Sequence, residues 1–185
     1  YSLLAVAPSE LPKVTWFRED FGKQGLEEML RPLREPQPVE SGTPIPANAE
    51  AIGIWVKGER SFAGYNLNLR IRDSHGRYVT LGTGDLGNTS WAYKETPLPR
   101  SDVMEPPLYL VGILIRGGSF AGYGSGWLAL DDLTAKVGGK PVVIETFESP
   151  GPWLSLPNLG TAPDILTNTF GAAHSGQGGL LLTWT

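Results

Sequence analysis

Residues 65–72 read YNLNLRIR. Successive side chains of an extended chain point to opposite faces, so Tyr65, Leu67, Leu69 and Ile71 share one side. Asn66, Asn68, Arg70 and Arg72 share the other. Strict alternation of this kind marks a strand with one buried face and one wet face. The next four residues, DSHG at 73–76, are turn formers, and residues 77–81 return as a partner strand. This stretch therefore predicts a β-hairpin.

The same texture extends outward from the hairpin. On the N-terminal side, AIGIWVK at 51–57 reads as a strand, with Trp55 taken to point into the core. On the C-terminal side a loop at 83–90 (TGDLGNTS) leads to a strand at 91–96. Residues 97–107 carry too many prolines for a central strand. LYLVGILIR at 108–116 is apolar on both faces and reads as a central strand covered on both sides. Further strands are expected at 127–136, 142–148 and 178–185, with VGGKP at 137–141 as a turn. About eight short strands must close two layers over each other to bury their apolar sides, which predicts an all-β sandwich of the jelly-roll type.

Residues 1–50 are different. Residues 1–15 read as an extended lead-in strand. Leu26, Met29, Leu30 and Leu33 then recur at helical spacing, with Glu27 and Glu28 early and Arg31 and Arg34 late. A short amphipathic helix is expected over about 23–33, which Pro32 should end or kink. Residues 35–50 contain four prolines and read as a linker or surface loop. The whole is expected to form one sandwich domain over 1–185. Residues 1–50 would be its lead segment, 51–136 its main strands, and 142–185 the strands that complete it or begin a second module.

Composition narrows the function classes. The 24 glycines and 16 prolines are spread along the chain, as many short strands and turns require. The formal net charge is −4 and no Lys/Arg cluster occurs, so the electrostatic footprint of a nucleic-acid binder is missing. With no cysteine, disulfides and thiolate-bound zinc are excluded. The longest apolar run, residues 108–115, is of strand length, so this sequence holds no membrane-spanning helix. The opening YSLLAVAP reads as a boundary within a longer protein.

One short repeat stands out: SFAGY occurs at 61–65 and again at 119–123. The plain reading is two glycine-containing loops that happen to match. The sharper reading places both loops at one end of the sandwich, with Phe62, Tyr65, Phe120 and Tyr123 forming an aromatic rim that binds a partner or a sugar.

Several motifs together resemble a known fold family. These are IGIWVKG, LRIRDSHG, WAY at 91–93, LVGILIR and WLALDDLTA. They resemble the C-terminal half of galactose-binding-like β-sandwiches, the fold of many carbohydrate-binding modules. VIETFESPGPW at 143–153 and HSGQGGLLLTW at 174–184 resemble the N-terminal half of the same family. The order here is reversed, so the chain is either circularly permuted or carries the start of a second module; permutation is favoured, because a half-module would leave Leu180 and Leu182 uncovered. The lead segment WFREDFGKQGLEEMLRPL together with GTPIPANAEAIGIWVKG is similar to extracytoplasmic segments of FtsX-like ABC-transporter permeases.

The resemblance implies a non-catalytic, extracytoplasmic binding domain of a membrane-anchored parent. Its partner would be a carbohydrate, the envelope or another protein; the alternative is a carbohydrate-binding module of a secreted protein. Sugar-stacking candidates are Trp91, Tyr93, Trp127 and Trp153 beside the rim aromatics, whereas Trp55 and Trp184 read as core. The resemblance also implies a structural calcium on Asp131, Asp132, Glu145 and Glu148, since hard oxygen ligands suit that ion. No other cofactor is expected.

Catalytic signatures are weak. Ser175, His174 and Asp164 would make a triad on paper, but no G-x-S-x-G elbow is present. GTGDLG at 82–87 leads into a strand and so offers no helix N-terminus to a phosphate. The sequence reads as that of a protein that is not an enzyme, with His75 and His174 as exposed loop histidines.

Overall fold

In the computed structural model, β7 (Gly126–Val137) organises the larger of two antiparallel sheets. The structure describes residues 10–14, 25, 26, 28, 30, 42–117, 126–149, 153 and 164–184. By internal contacts the chain divides into two compact units, Tyr1–Val39 and Glu40–Thr185.

In the first unit, α1 (Leu11–Val14) is a single helical turn, with Lys13 Nζ 2.9 Å from Glu10 Oε1. These residues are helical where an extended strand was expected: Glu10 O accepts the Lys13 backbone N–H and closes the turn. Most of the amphipathic helix expected over 23–33 lies outside the described residues; Leu26, Glu28 and Leu30 are helical, and Leu30 is buried.

The second unit is a β-sandwich. The remaining strands are β1 (Thr43–Ile45), β2 (Ala49–Gly58), β3 (Phe62–Arg72), β4 (Tyr78–Leu86), β5 (Ala92–Pro97), β6 (Leu108–Gly117), β8 (Lys140–Glu145), β9 (Asp164–Thr169) and β10 (Gly179–Trp184). The smaller sheet runs β1-β6-β3-β4 and the larger β5-β2-β7-β10-β9, with β8 also paired to β7. The 65–72 alternation is realised in β3 as far as Ile71: Tyr65, Leu67, Leu69 and Ile71 are buried, against Ile52, Ile54 and Val56 of β2 and Leu128, Leu130, Leu133 and Ala135 of β7 in one core, whereas Arg72, expected on the wet face, is buried with its guanidinium over the Tyr109 ring. A two-residue Gly138-Gly139 loop joins β7 to β8 with Val137 opposite Lys140; both glycines have positive φ, as a type I′ hairpin needs.

The proline-rich stretch 35–50 contributes a strand, β1, whose Pro44 is tolerated because β1 pairs only with β6 at the edge of its sheet. The loop expected at 83–90 begins later, since β4 runs on to Leu86. The strand at 108–116 is not sealed on both faces: Leu108 and Leu110 are buried, while residues 111–115 remain partly exposed.

The second edge of β7 is shared. β2 pairs along β7 from Leu128 to Val137, so β10 and β8 must both lie on the opposite side. β10 takes residues 126–130 and β8 takes 133–137. Asp131 and Asp132 are left over between them. There β2 and β7 slip register, with Gly53 opposite Thr134 and Trp55 opposite Asp131, so Ile54 faces two residues. That is a β-bulge. Asp132 takes φ +43, and the bulge switches the inward parity of β7 from Leu128 and Leu130 to Leu133 and Ala135.

Candidate functional site

The bulge leaves two aspartates where a sheet would otherwise place paired backbone. Asp131 is fully buried. Its Oδ2 accepts the backbone N–H groups of His174 (2.7 Å) and Ser175 (3.0 Å), and its Oδ1 accepts that of Asp132 (2.8 Å). Asp131 thus fastens the loop that enters β10 onto the gap in β7. Asp132 holds the side chains of the same loop: Ser175 Oγ–H donates to Oδ1 and His174 Nδ1–H to Oδ2, each at 3.0 Å. A second tie lies beside it, where Glu148 Oε1 accepts the Gln177 backbone N–H at 2.8 Å.

Burial is the main influence on Asp131 and pushes its pKa above the ordinary carboxylate value. The N–H bonds from Ser175, His174 and Asp132 work against that rise, and the neighbouring Asp132 charge adds to it.

Aromatic rings gather over this knot. Trp55 lies opposite both Tyr93 of β5 and Asp131 of β7, on the sheet face turned away from the core. The His174 ring stacks on Trp55, with centroids 3.8 Å apart and planes at 14°. Trp91 meets the same imidazole edge-on at 5.5 Å, and Tyr93 tilts against Trp55 at 5.5 Å. All four rings are partly exposed. Tyr93 is held over Gly53, where an added Cβ would meet its ring, and its hydroxyl lies 2.7 Å from Thr134 Oγ1. Burial raises the Tyr93 pKa. Lys136 and Glu95 form an ion pair beside it at 3.1 Å.

The outer face of this sheet therefore carries a half-exposed Trp–His–Trp–Tyr cluster rimmed by carboxylates. An outward sheet face is ordinarily polar. No protein-family model matches the chain, and neither does any curated protein or solved structure.

Trp91 and Tyr93 belong to the cluster. Phe62 and Tyr65 do not form an exposed rim: both are buried in the core and meet edge to face at 6.4 Å. A register shift between Phe62 and Asn66, with Gly64 at φ +87, turns both rings inward although they are three residues apart. Phe120 and Tyr123 lie outside the described residues. Trp127 lines a surface cavity, and Trp153 packs on buried Phe147 at 5.4 Å. Trp55, read as core, is instead on the outer face because Ile52, Ile54 and Val56 take the inward parity of β2. The side chain of Trp184 lies outside the described residues.

His174, read as an exposed loop residue, is the centre of the stack. Its signal in the sequence was absent, since only the fold brings it to Trp55. Ser175 donates to Asp132, so the paper triad does not form a serine–imidazole hydrogen bond. The side chain of Asp164 lies outside the described residues.

The four carboxylates named for calcium are not gathered into one cage. Glu145 Oε1 accepts the Phe147 N–H at 2.9 Å, and Glu148 is committed to Gln177. Among the described residues the set with close ligand atoms is Asp131, Asp132 and His174, all within 4.8 Å of one another. Two carboxylates and an imidazole are not the all-oxygen shell that calcium selects. Donor hydrogens also already occupy both oxygens of each aspartate.

Proposed function

We propose that this chain is a non-catalytic carbohydrate-binding module that works outside the cytoplasm. The observation that carries the reading is the half-exposed Trp55–His174–Trp91–Tyr93 cluster on the outer face of the larger sheet. Sugar rings present apolar C–H faces that stack on aromatic rings, while their hydroxyls need acceptors and donors at the rim. Glu95 and Lys136 supply such groups beside the cluster. The side chains that could do acid–base chemistry are engaged in holding the β10 loop, which favours binding over catalysis.

The jelly-roll, galactose-binding-like topology and its permuted order belong to the same proposal, as does an origin in the extracytoplasmic part of an FtsX-like permease. Envelope glycans are then the natural ligands. A glycan array followed by calorimetry on the best binder tests the reading. Trp91→Ala should weaken that binding at least tenfold while leaving the melting temperature within a few degrees of wild type. Silence across neutral and acidic polysaccharides, or full affinity in Trp91→Ala, would remove it.

A further inference from the structure

A cavity lies on the same sheet face as the aromatic cluster. Trp127, Gly171 and Leu181 line this cavity of about 200 Å³, and the lining is almost wholly apolar. Trp127 is four residues along β7 from Asp131, the partner of Trp55. At a strand rise of about 3.3 Å per residue, the cavity sits about 13 Å from the aromatic cluster along the strand. A single sugar cannot reach both; a short oligosaccharide can.

Lys57 stands between the two. It follows Trp55 by two residues on β2, shares its outward face, and pairs with Ala129. Its Nζ lies 5.9 Å from the centre of the Trp127 ring. Among the described residues no carboxylate comes within ion-pair distance of it; nearby Glu59 is turned to Arg60 at 3.5 Å. The ammonium of a half-buried lysine beside an apolar, aromatic-walled cavity is matched by a ligand that is flat and apolar on its ring face and anionic at its rim.

We propose that this cavity is a second subsite for an acidic sugar unit, a uronic acid, of the same glycan chain. Its ring packs on Trp127 and Leu181 and its carboxylate pairs with Lys57. The proposal rests on the carbohydrate reading above and adds the length and charge of the ligand.

Calorimetry on the full chain tests it with two probe series of equal length, cello-oligosaccharides and β-1,4-linked oligoglucuronates, which differ only in the C6 group. At low salt the acidic tetrasaccharide should bind about tenfold more tightly than the neutral one, and the advantage should fade as sodium chloride is raised. Lys57→Met keeps an apolar stem over Trp127, and should erase the advantage while leaving the neutral affinity within twofold. Trp127→Ala should weaken tetrasaccharides of both series and leave disaccharides unchanged.

Equal affinity for the two series, or an acidic advantage that persists in Lys57→Met, overturns the subsite and leaves the aromatic cluster as a sugar site. Loss of disaccharide binding in Trp127→Ala also overturns it. If neither series binds at any length while the protein remains folded, both readings fall together.

Discussion

Two fully buried aspartates hold the two sheets' loops, and they do so under opposite electrostatics. Asp73 closes the β3–β4 turn. It accepts the backbone N–H groups of His75 (2.9 Å), Arg77 (2.8 Å) and Glu105 (3.4 Å), and the Arg77 Nε–H at 2.7 Å. Asp131 accepts three backbone N–H groups in a comparable way. Burial opposes ionisation at both. At Asp73 the Arg77 backbone and guanidinium bonds, the Glu105 N–H and the Arg77 charge overcome it and hold the pKa at about 2. At Asp131 burial prevails, the nearest charged neighbour is another carboxylate, and the pKa is raised. The comparison separates two uses of the same residue. A buried carboxylate with its own cation is a finished structural staple. One with a second carboxylate beside it has no such cation, and its carboxyl holds a proton more readily than an ordinary aspartate does.

The largest expected effect comes from removing the uncompensated member. Asp131→Ala orphans the N–H groups of Asp132, His174 and Ser175, and each buried donor left without a partner is costly. The expected loss is about 3 kcal/mol of unfolding free energy, read from urea denaturation. The same variant should release His174 from Trp55, visible as a change in tryptophan fluorescence of the folded state. A loss no greater than that of an ordinary surface substitution would show that the loop entering β10 is held by something else.

A smaller and more discriminating effect is in the pH dependence. The depressed Asp73 contributes stability that is present above its unfolded value, about 3.9, and is lost as pH falls toward about 2. The raised Asp131 behaves in reverse: its contribution is full below the unfolded value and is lost as pH rises through the raised one. The stability difference between wild type and Asp73→Asn should therefore shrink on acidification below pH about 4. The difference between wild type and Asp131→Asn should shrink on the other side, as pH climbs above that value. Urea midpoints measured across the acid range read both slopes, and slopes of the same sign would collapse the contrast.

The two sites also differ in how far the sequence announced them. The Asp73 turn was visible because alternation in 65–72 ends at DSHG, whose residues are turn formers for local reasons. The strands expected at 51–57, 91–96, 127–136, 142–148 and 178–185 correspond to β2, β5, β7, β8 and β10, although β8 starts at Lys140 and ends at Glu145. The Asp131 bulge was also written in the sequence, as a break in parity within LALDDLTA: Leu128 and Leu130 are even, whereas Leu133 and Ala135 are odd. Reading that stretch as one uniform strand hid it. β1, with three residues, is too short to show a period; β9, six residues long, was not read as a strand.

The aromatic cluster was legible only in part. Trp91 and Tyr93 were named, but Trp55 was assigned inward on hydrophobicity alone, although Lys57 shares its parity. A face that carries a lysine is seldom the core face, and that was the usable signal. His174 comes to Trp55 through a loop far along the chain, a pairing that no local pattern encodes.

The smallest expected effect is none at all, and it bears directly on what separates the two aspartates. A divalent cation on Asp131, Asp132 and His174 would do for Asp131 what Arg77 does for Asp73, and the contrast between the sites would vanish. Ligand atoms within 4.8 Å of one another make that arrangement conceivable in distance. The hydrogen bonds argue against it. His174 Nδ1–H and Ser175 Oγ–H already fill the Asp132 oxygens, and backbone N–H groups fill those of Asp131, so a cation would have to displace the contacts that hold the loop. Melting temperatures in the presence of EDTA and of added calcium or zinc should therefore agree with that of the untreated protein. A drop with EDTA that zinc or calcium restores would mean that Asp131 does have a cation after all, and that its raised pKa belongs to the metal-free form alone.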